Sequence, residues 1–242
     1  MKNNFDPSSD LAPIAMLARS PNAVLATAAR PELTSLKGLI DYAKANPNKI
    51  SYGTSGIGSQ HHLGGEQISL LTGARMVHVP YKAGAQALVD LVAGQLQTSY
   101  SVIGPALPMI RAGKARALTV ISDKRIPQLP DVPAMSELLP GYSMPESWFA
   151  FFGPANMPQP VVMRLNAEIA RTFVAPDVKA RLDERALIVI TGKPEEVTGY
   201  LRNGLDVYGK IVKAAGIQPE EGESGSSEPE NRGAGGARQV VR

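Results

Sequence analysis

Residues 52–66 read YGTSGIGSQHHLGGE and hold five glycines, three small hydroxyl side chains and two adjacent histidines. Residues of these types at this spacing suit four chemistries: phosphate cradling, serine nucleophilic attack, metal ligation and carboxylate binding. A nucleophile elbow needs G-x-S-x-G, but Gly53, Thr54, Ser55 and Gly56 run on into Ile57. A P-loop needs a terminal Gly-Lys-Ser/Thr, which is missing. A GxGxxG turn after Gly56 and Gly58 would need glycine where His61 stands. Metal binding would draw on His61, His62 and His78. Adjacent helical histidines point about 100° apart, and no acidic ligand stands at metal spacing to them. A Ser–His pair has no acidic residue placed by sequence to orient the histidine. The expectation is therefore no catalytic residue and no metal.

A strand, a glycine-rich turn and a helix N-terminus remain. Backbone N–H groups of Ser55, Gly56, Ile57, Gly58 and Ser59 can converge in such a turn without Cβ obstruction. The helix dipole favours an anion there, and Thr54, Ser55 and Ser59 add hydroxyl donors. The segment reads as a carboxylate cradle, with a helix starting near residue 59. The same glycines also suit a tight βα turn that only permits close packing, and spacing alone does not choose.

The elements that must position this turn follow from hydrophobic period. A short apolar run at 23–28 reads as a strand. LTSLKGLIDYAKANP reads as an amphipathic helix, capped by Thr34 or Ser35 and stopped by Pro47. KISYG, ARMVHVP, QLQTSYSV and ARALTVIS read as strands. AGAQALVDLVAG reads as a helix with Gly94 at C′, and PALPMIRAG as a short one. This βαβα alternation implies a mostly parallel sheet with helices on both faces.

After Ser122 the rhythm breaks. DKRIPQLPDVPAMSELLPGYSMPES carries five prolines and reads as a long ordered connection. WFAFFGPA reads as a buried strand, with Trp148 and Phe149 as core or cleft lining. Helices follow from Pro160 and Pro176, then the strand LIVIT and a final helix from Pro194 to Ala215. The stretch from Glu220 onward is rich in Gly, Ser and Glu, shows no apolar face and reads as disordered.

Hydrophobic residues make up 43% of the 242 and charged ones 19%, enough to bury a core. The formal charge is +3, with the acidic tail offsetting a more basic body. The Lys and Arg residues are scattered, so nucleic acid is not implied. The absence of cysteine excludes disulfides, thiol catalysis and Cys-ligated zinc. No apolar run reaches the length of a membrane span, and MKNNFDPSSDLAP lacks a signal-peptide core.

Four blocks carry a resemblance: GTSGIGSQHHLGGE, VHVPYKAGAQALVDLVAGQ, IRAGKARALTVISDKRIPQLPDVPAMSE and FFGPANMPQPVVMRLNAEIA. Together, in this order, they resemble the substrate-binding receptors of tripartite tricarboxylate transporters, also called Bug receptors. The resemblance runs from about Asp10 to Gln218. It implies a two-lobed α/β protein like the type II periplasmic binding proteins, with a small carboxylate held between the lobes. It also implies membrane permease subunits as partners, a monomer, a periplasmic setting, and binding without cofactor or metal. Carried over by position, Thr54, Ser55, Gly56, Gly58 and Ser59 match the second-lobe anion loop, and His62 its helix-start histidine. Tyr81, Lys82 and Gly84 match a VPYKG-type turn, although Ala83 stands at its first glycine. Ser101 stands where many members have a cleft-facing acid, which favours an uncharged or more anionic ligand portion there. Lys82 also reads as a solvated surface lysine, and His78 as structural.

By the resemblance, residues 1–23 are a remnant of the first lobe and a crossing, and 24–122 a nearly complete second lobe. Residues 123–218 are the return crossing and the later part of the first lobe, and 219–242 a tail without counterpart. The family's leader and its first βα turn have no match, so the expectation is a truncated or rearranged frame with impaired binding. As given, such a chain would stay cytoplasmic. Two other functions fit the same elements: a ligand-sensing domain of a regulator, which lacks a preceding helix-turn-helix, and an α/β hydrolase-like enzyme, which lacks its elbow.

Overall fold

The structure is a computed structural model that describes residues 6–218. The tail expected to be disordered lies outside the described residues. The chain order is β1 (Leu11–Ser20), β2 (Asn22–Thr27), α1 (Leu36–Ala45), β3 (Ser51–Thr54), α2 (Gln60–Thr72), β4 (Val77–Pro80), α3 (Gly84–Val92) and β5 (Thr98–Val102). Then follow α4 (Ile103–Arg111), β6 (Ala115–Ile121), α5 (Met135–Leu138), β7 (Ser147–Pro154), α6 (Gln159–Phe173), α7 (Pro176–Glu184), β8 (Ile188–Gly192) and α8 (Pro194–Ala215).

Strands β4-β3-β5-β2-β6 form one sheet, in that order. β3 pairs in parallel with β4 and β5, whereas β2 is antiparallel to both β5 and β6. Four strands thus share a direction and β2 opposes them, so the sheet is mostly parallel, as expected, with one reversed strand. The cause lies just upstream. Only Pro21 separates β2 from β1, so β2 enters this sheet directly from the other one and not through a helical crossover. Its side chains serve both faces. Val24 and Ala26 join a core with Leu36, Leu39, Tyr52 and Ile68, and Ala23 and Leu25 join one with Leu88, Leu91, Ile103 and Leu107.

The second sheet is β7-β1-β8, antiparallel throughout. Its central strand β1 comes from APIAMLARS, which carries no clear period in the sequence. β8 covers one edge and β7 forms the other. β7 is not the buried strand expected: Phe149 is 51% and Phe151 47% exposed. Trp148 is half-buried against Phe152 and Tyr200. Helix α8 packs on β1 and on α2, so one long helix touches both parts.

Ser35, not Thr34, caps α1: its Oγ accepts the Gly38 N–H at 3.1 Å. Gly94 follows the Ala93 C-cap of α3 at φ 76°, as its position implied.

Candidate functional site

The opening glycines divide into two groups. Gly56 (φ 114°) and Gly58 (φ 72°) adopt backbone that side-chain-bearing residues avoid, and they turn the chain from β3 into α2. Gly64 and Gly65 do a different job, because a Cβ at either would collide with Tyr142 or Tyr52. They let α2 lie against the buried tyrosines Tyr52 and Tyr100.

Within the turn the expected fan of N–H groups is largely used internally. Gly56 N–H donates to Thr54 Oγ1 (3.2 Å), Gly58 N–H to His62 Nδ1 (3.1 Å), and Ser59 N–H to the Gly56 carbonyl (3.3 Å). Ser59 Oγ caps α2 by accepting the His62 N–H at 3.2 Å. Among the described residues, only the Ser55 and Ile57 N–H groups of the five find no acceptor. The cradle of residues 55–59 is therefore not a cradle built from all five.

A larger arrangement surrounds it. β3, β4 and β5 are parallel, and each ends where a helix begins: α2, α3 and α4. Ligands of α/β sheets gather at such carboxyl ends. Here the three helix starts border a cavity of about 320 Å³. Its polar wall is Ser55, His61 and Ser101, and its apolar wall includes Leu88, Val102 and Pro105. Gly84 and Ala85, the first two residues of α3, complete it. No side chain caps α3; the Gln86 N–H reaches the Ala83 carbonyl at 3.1 Å, and the Gly84 and Ala85 N–H groups ahead of it find no acceptor among the described residues. No lining residue is charged at neutral pH. A wider depression of about 600 Å³ runs along the end of α8, but one helix and its C-terminal turn make all of its lining.

His61 reaches the cavity, not His62. Its Nδ1 lies 3.1 Å from Ser55 Oγ, and its Nε2 lies 3.1 Å from Asn22 Oδ1. Burial pushes its pKa down to about 4, so it is neutral at pH 7. His62 is buried, stacked on His78 with ring centroids 3.9 Å apart, and its lowered pKa has the same main cause. His78 in turn meets Thr54 Oγ1 at 2.6 Å. Thr54 and His62 thus brace the turn from inside.

Tyr81 lies behind the cavity. Its hydroxyl donates to Asp90 at 2.7 Å, and burial, with that carboxylate, pushes its pKa up to about 12. Lys82 is exposed. Ser101 lines the cavity and bonds Ser99 Oγ at 3.0 Å. Of the sequence-predicted residues, Ser55, Gly84 and Ser101 come together at the cavity; Thr54, Gly56, Gly58, Ser59, His62 and Tyr81 support its walls. Among the described residues no group of three or more His, Cys, Asp or Glu is placed to hold a metal ion.

Ser55, His61 and Asn22 have the order of nucleophile, base and orienter. As a base His61 is poor. Its neutral form is strongly favoured, and Asn22 brings no charge to stabilise an imidazolium.

The tripartite tricarboxylate transporter family receptor (TctC) matches residues 1–217. The chain belongs to this receptor family. Its members bind solutes and are not enzymes. The chain is 31% identical to the UPF0065 protein in the tcbD-tcbE intergenic region of Pseudomonas sp. (strain P51), covering 86% of this chain and 62% of that one. It is 30% identical to protein BugT of Bordetella pertussis, over 86% and 64% respectively. It therefore spans less than two thirds of these relatives. Two solved receptors from Rhodopseudomonas palustris share the fold. Rpa4515 with adipate matches at TM-score 0.80 and 32% identity, over 89% of this chain and 72% of that one. MatC with bound malate matches at 0.77 and 27%, over 88% and 73%.

Proposed function

We propose that this chain carries the carboxylate-binding wall of a solute receptor that delivers its ligand to membrane permease subunits outside the cytoplasm, without chemistry. One observation carries the reading: the starts of α3 and α4, which have no side-chain cap, join the Ser59-capped start of α2 around a cavity whose lining carries no charge. Each helix terminus contributes about 0.3–1 kcal/mol toward an anion. Three of them approach the effect of one modest ion pair, and hydrogen bonds from N–H groups at the starts of α2 and α3 add direction.

The carboxylates held by Rpa4515 and MatC support a ligand of the same class here. Two-lobed receptors grip their ligand from both sides. The wall described is one side of such a grip. Calorimetry with butyrate, adipate, malate and benzoate tests the reading, with an activated ester as the control for hydrolysis. Saturable carboxylate binding without ester turnover is expected. Ester turnover abolished by Ser55→Ala, or no carboxylate binding even at millimolar concentration, would overturn it.

A further inference from the structure

A chain of hydrogen bonds runs from the cavity to both crossings between the sheets, and its direction is fixed at one end. The Pro145 carbonyl can only accept, and it accepts from Gln60 Nε2. Gln60 Oε1 therefore faces Ser147 and accepts its single hydroxyl proton. With that proton engaged, Ser147 Oγ can only accept from Asn22, whose Nδ2 lies 2.8 Å away. Asn22 Oδ1 is left to face His61 Nε2, which must carry the ring proton. Neutral His61 then offers a bare Nδ1, and Ser55 must donate to it. No link allows an amide flip or a second tautomer.

The second polar residue of the wall obeys the same logic. Ser99 Oγ donates to the Gly53 carbonyl at 3.3 Å, so at the 3.0 Å contact Ser101 donates to Ser99. Ser55 and Ser101 have thus both turned their protons away from the cavity and show it lone pairs. The donors lie elsewhere, on the backbone at the start of α3.

We propose that this is an acceptor wall, and that it selects a carboxylate bearing a neutral hydrogen-bond donor, a hydroxyl, over the same carbon skeleton without one. The inference rests on the carboxylate reading above. An ammonium donor fits less well, because no lining residue is anionic and the helix starts repel positive charge. A doubly charged ligand gains nothing from lone pairs and would press its second carboxylate against them. Burying a hydroxyl against these oxygens satisfies groups that an unsubstituted chain would leave unpaired.

Two measurements on the 242-residue chain test the proposal. Long-range proton–nitrogen NMR at pH 7.5 reads the His61 tautomer without any ligand. The Nε2–H form is expected, and the Nδ1–H form would overturn the hydrogen-bond direction. Calorimetry then compares matched pairs: 2- and 3-hydroxybutyrate against butyrate, and 2-hydroxy-4-methylpentanoate against 4-methylpentanoate. At least one hydroxy acid should bind about tenfold tighter than its partner, the worth of one well-placed hydrogen bond. The Ser55→Ala/Ser101→Ala double variant should bring that ratio within about twofold. Asn22→Leu should lower the same ratio and leave a tautomer mixture at His61. Equal affinity within every pair would overturn the selection and leave the carboxylate reading standing. Failure of all acids to bind would overturn both.

Discussion

His61 and Asn22 stand 39 positions apart and meet at 3.1 Å, joining the wall of the cavity to the strand that leads in from the second sheet. Asn22 is buried and also holds Ser147 on the returning crossing. The imidazole that lines the cavity is therefore positioned by both segments that connect the sheets.

This burial makes stability depend on pH. His61 has its pKa depressed from 6.5 to about 4 by desolvation. A depressed native pKa means that the unfolded chain binds the proton more tightly. The contribution is present in full above pH 6.5 and is lost as pH falls toward 4. It amounts to on the order of 3 kcal/mol, given that each pK unit is about 1.4 kcal/mol. Urea unfolding between pH 7.5 and pH 4.5 should show this loss. In His61→Gln the slope over that interval should be clearly shallower. An unchanged slope would mean that His61 titrates normally.

Gly84 brings bare backbone to the wall of the cavity. A Cβ there would sit 3.9 Å from Ser55 Cβ, an ordinary contact that leaves the fold undisturbed. Gly84→Val places its branches in the cavity over the first N–H groups of α3. Carboxylate affinity should fall at least about tenfold while the melting temperature moves by no more than a few degrees. Retained affinity would move the anion away from α3.

Gly65 predicts the opposite pattern. A side chain there would enter the Tyr52 ring, which is fully buried under α2. Gly65→Val should cost about 3 kcal/mol or more through overpacking, measured by urea unfolding. Gly58 falls between the two. Space around it is open, but its φ of 72° makes a β-branched residue costly by about 1–2 kcal/mol, through strain and not through a blocked ligand.

The same residues show what could be read from the sequence. Helix α1 and its serine cap, the strand boundaries at Pro80 and the C′ glycine were legible because each has a local cause. The glycine-rich turn leading into a helix near residue 59 was legible, but the phase of α2 was not. Neighbouring helical residues point about 100° apart, and nothing local decides whether His61 or His62 faces the cavity. Tertiary contacts decide it: His78 stacks on His62, and Asn22 captures His61. The reversal of β2 was hidden for a similar reason, since a strand fed by helices and one fed by a crossing look alike in composition. The apolar run of β7 was misread as buried because period and composition report what a strand could cover, not whether a neighbour is there.

That strand supports the last prediction. β7 is an edge strand of a three-stranded sheet, and Phe149 and Phe151 project from the same side of it. Both are about half exposed. Their pairing partners on β1 are Ala18 and Ala15, too small to shield them. An unpaired edge carrying two large aromatics is a template for association. Fully covering a phenylalanine is worth roughly 1.5–3 kcal/mol, so covering the half of each that is exposed gives self-association a driving force of a few kcal/mol. Sedimentation velocity of the described chain should show concentration-dependent association at tens of micromolar. Phe149→Thr/Phe151→Thr should abolish it, because threonine keeps the strand propensity while removing the apolar surface. The melting temperature should change by no more than a few degrees, since little of either ring is in the core. Association that persists in the double variant would place the sticky surface elsewhere, and a large loss of stability would show that the two rings are covered in solution.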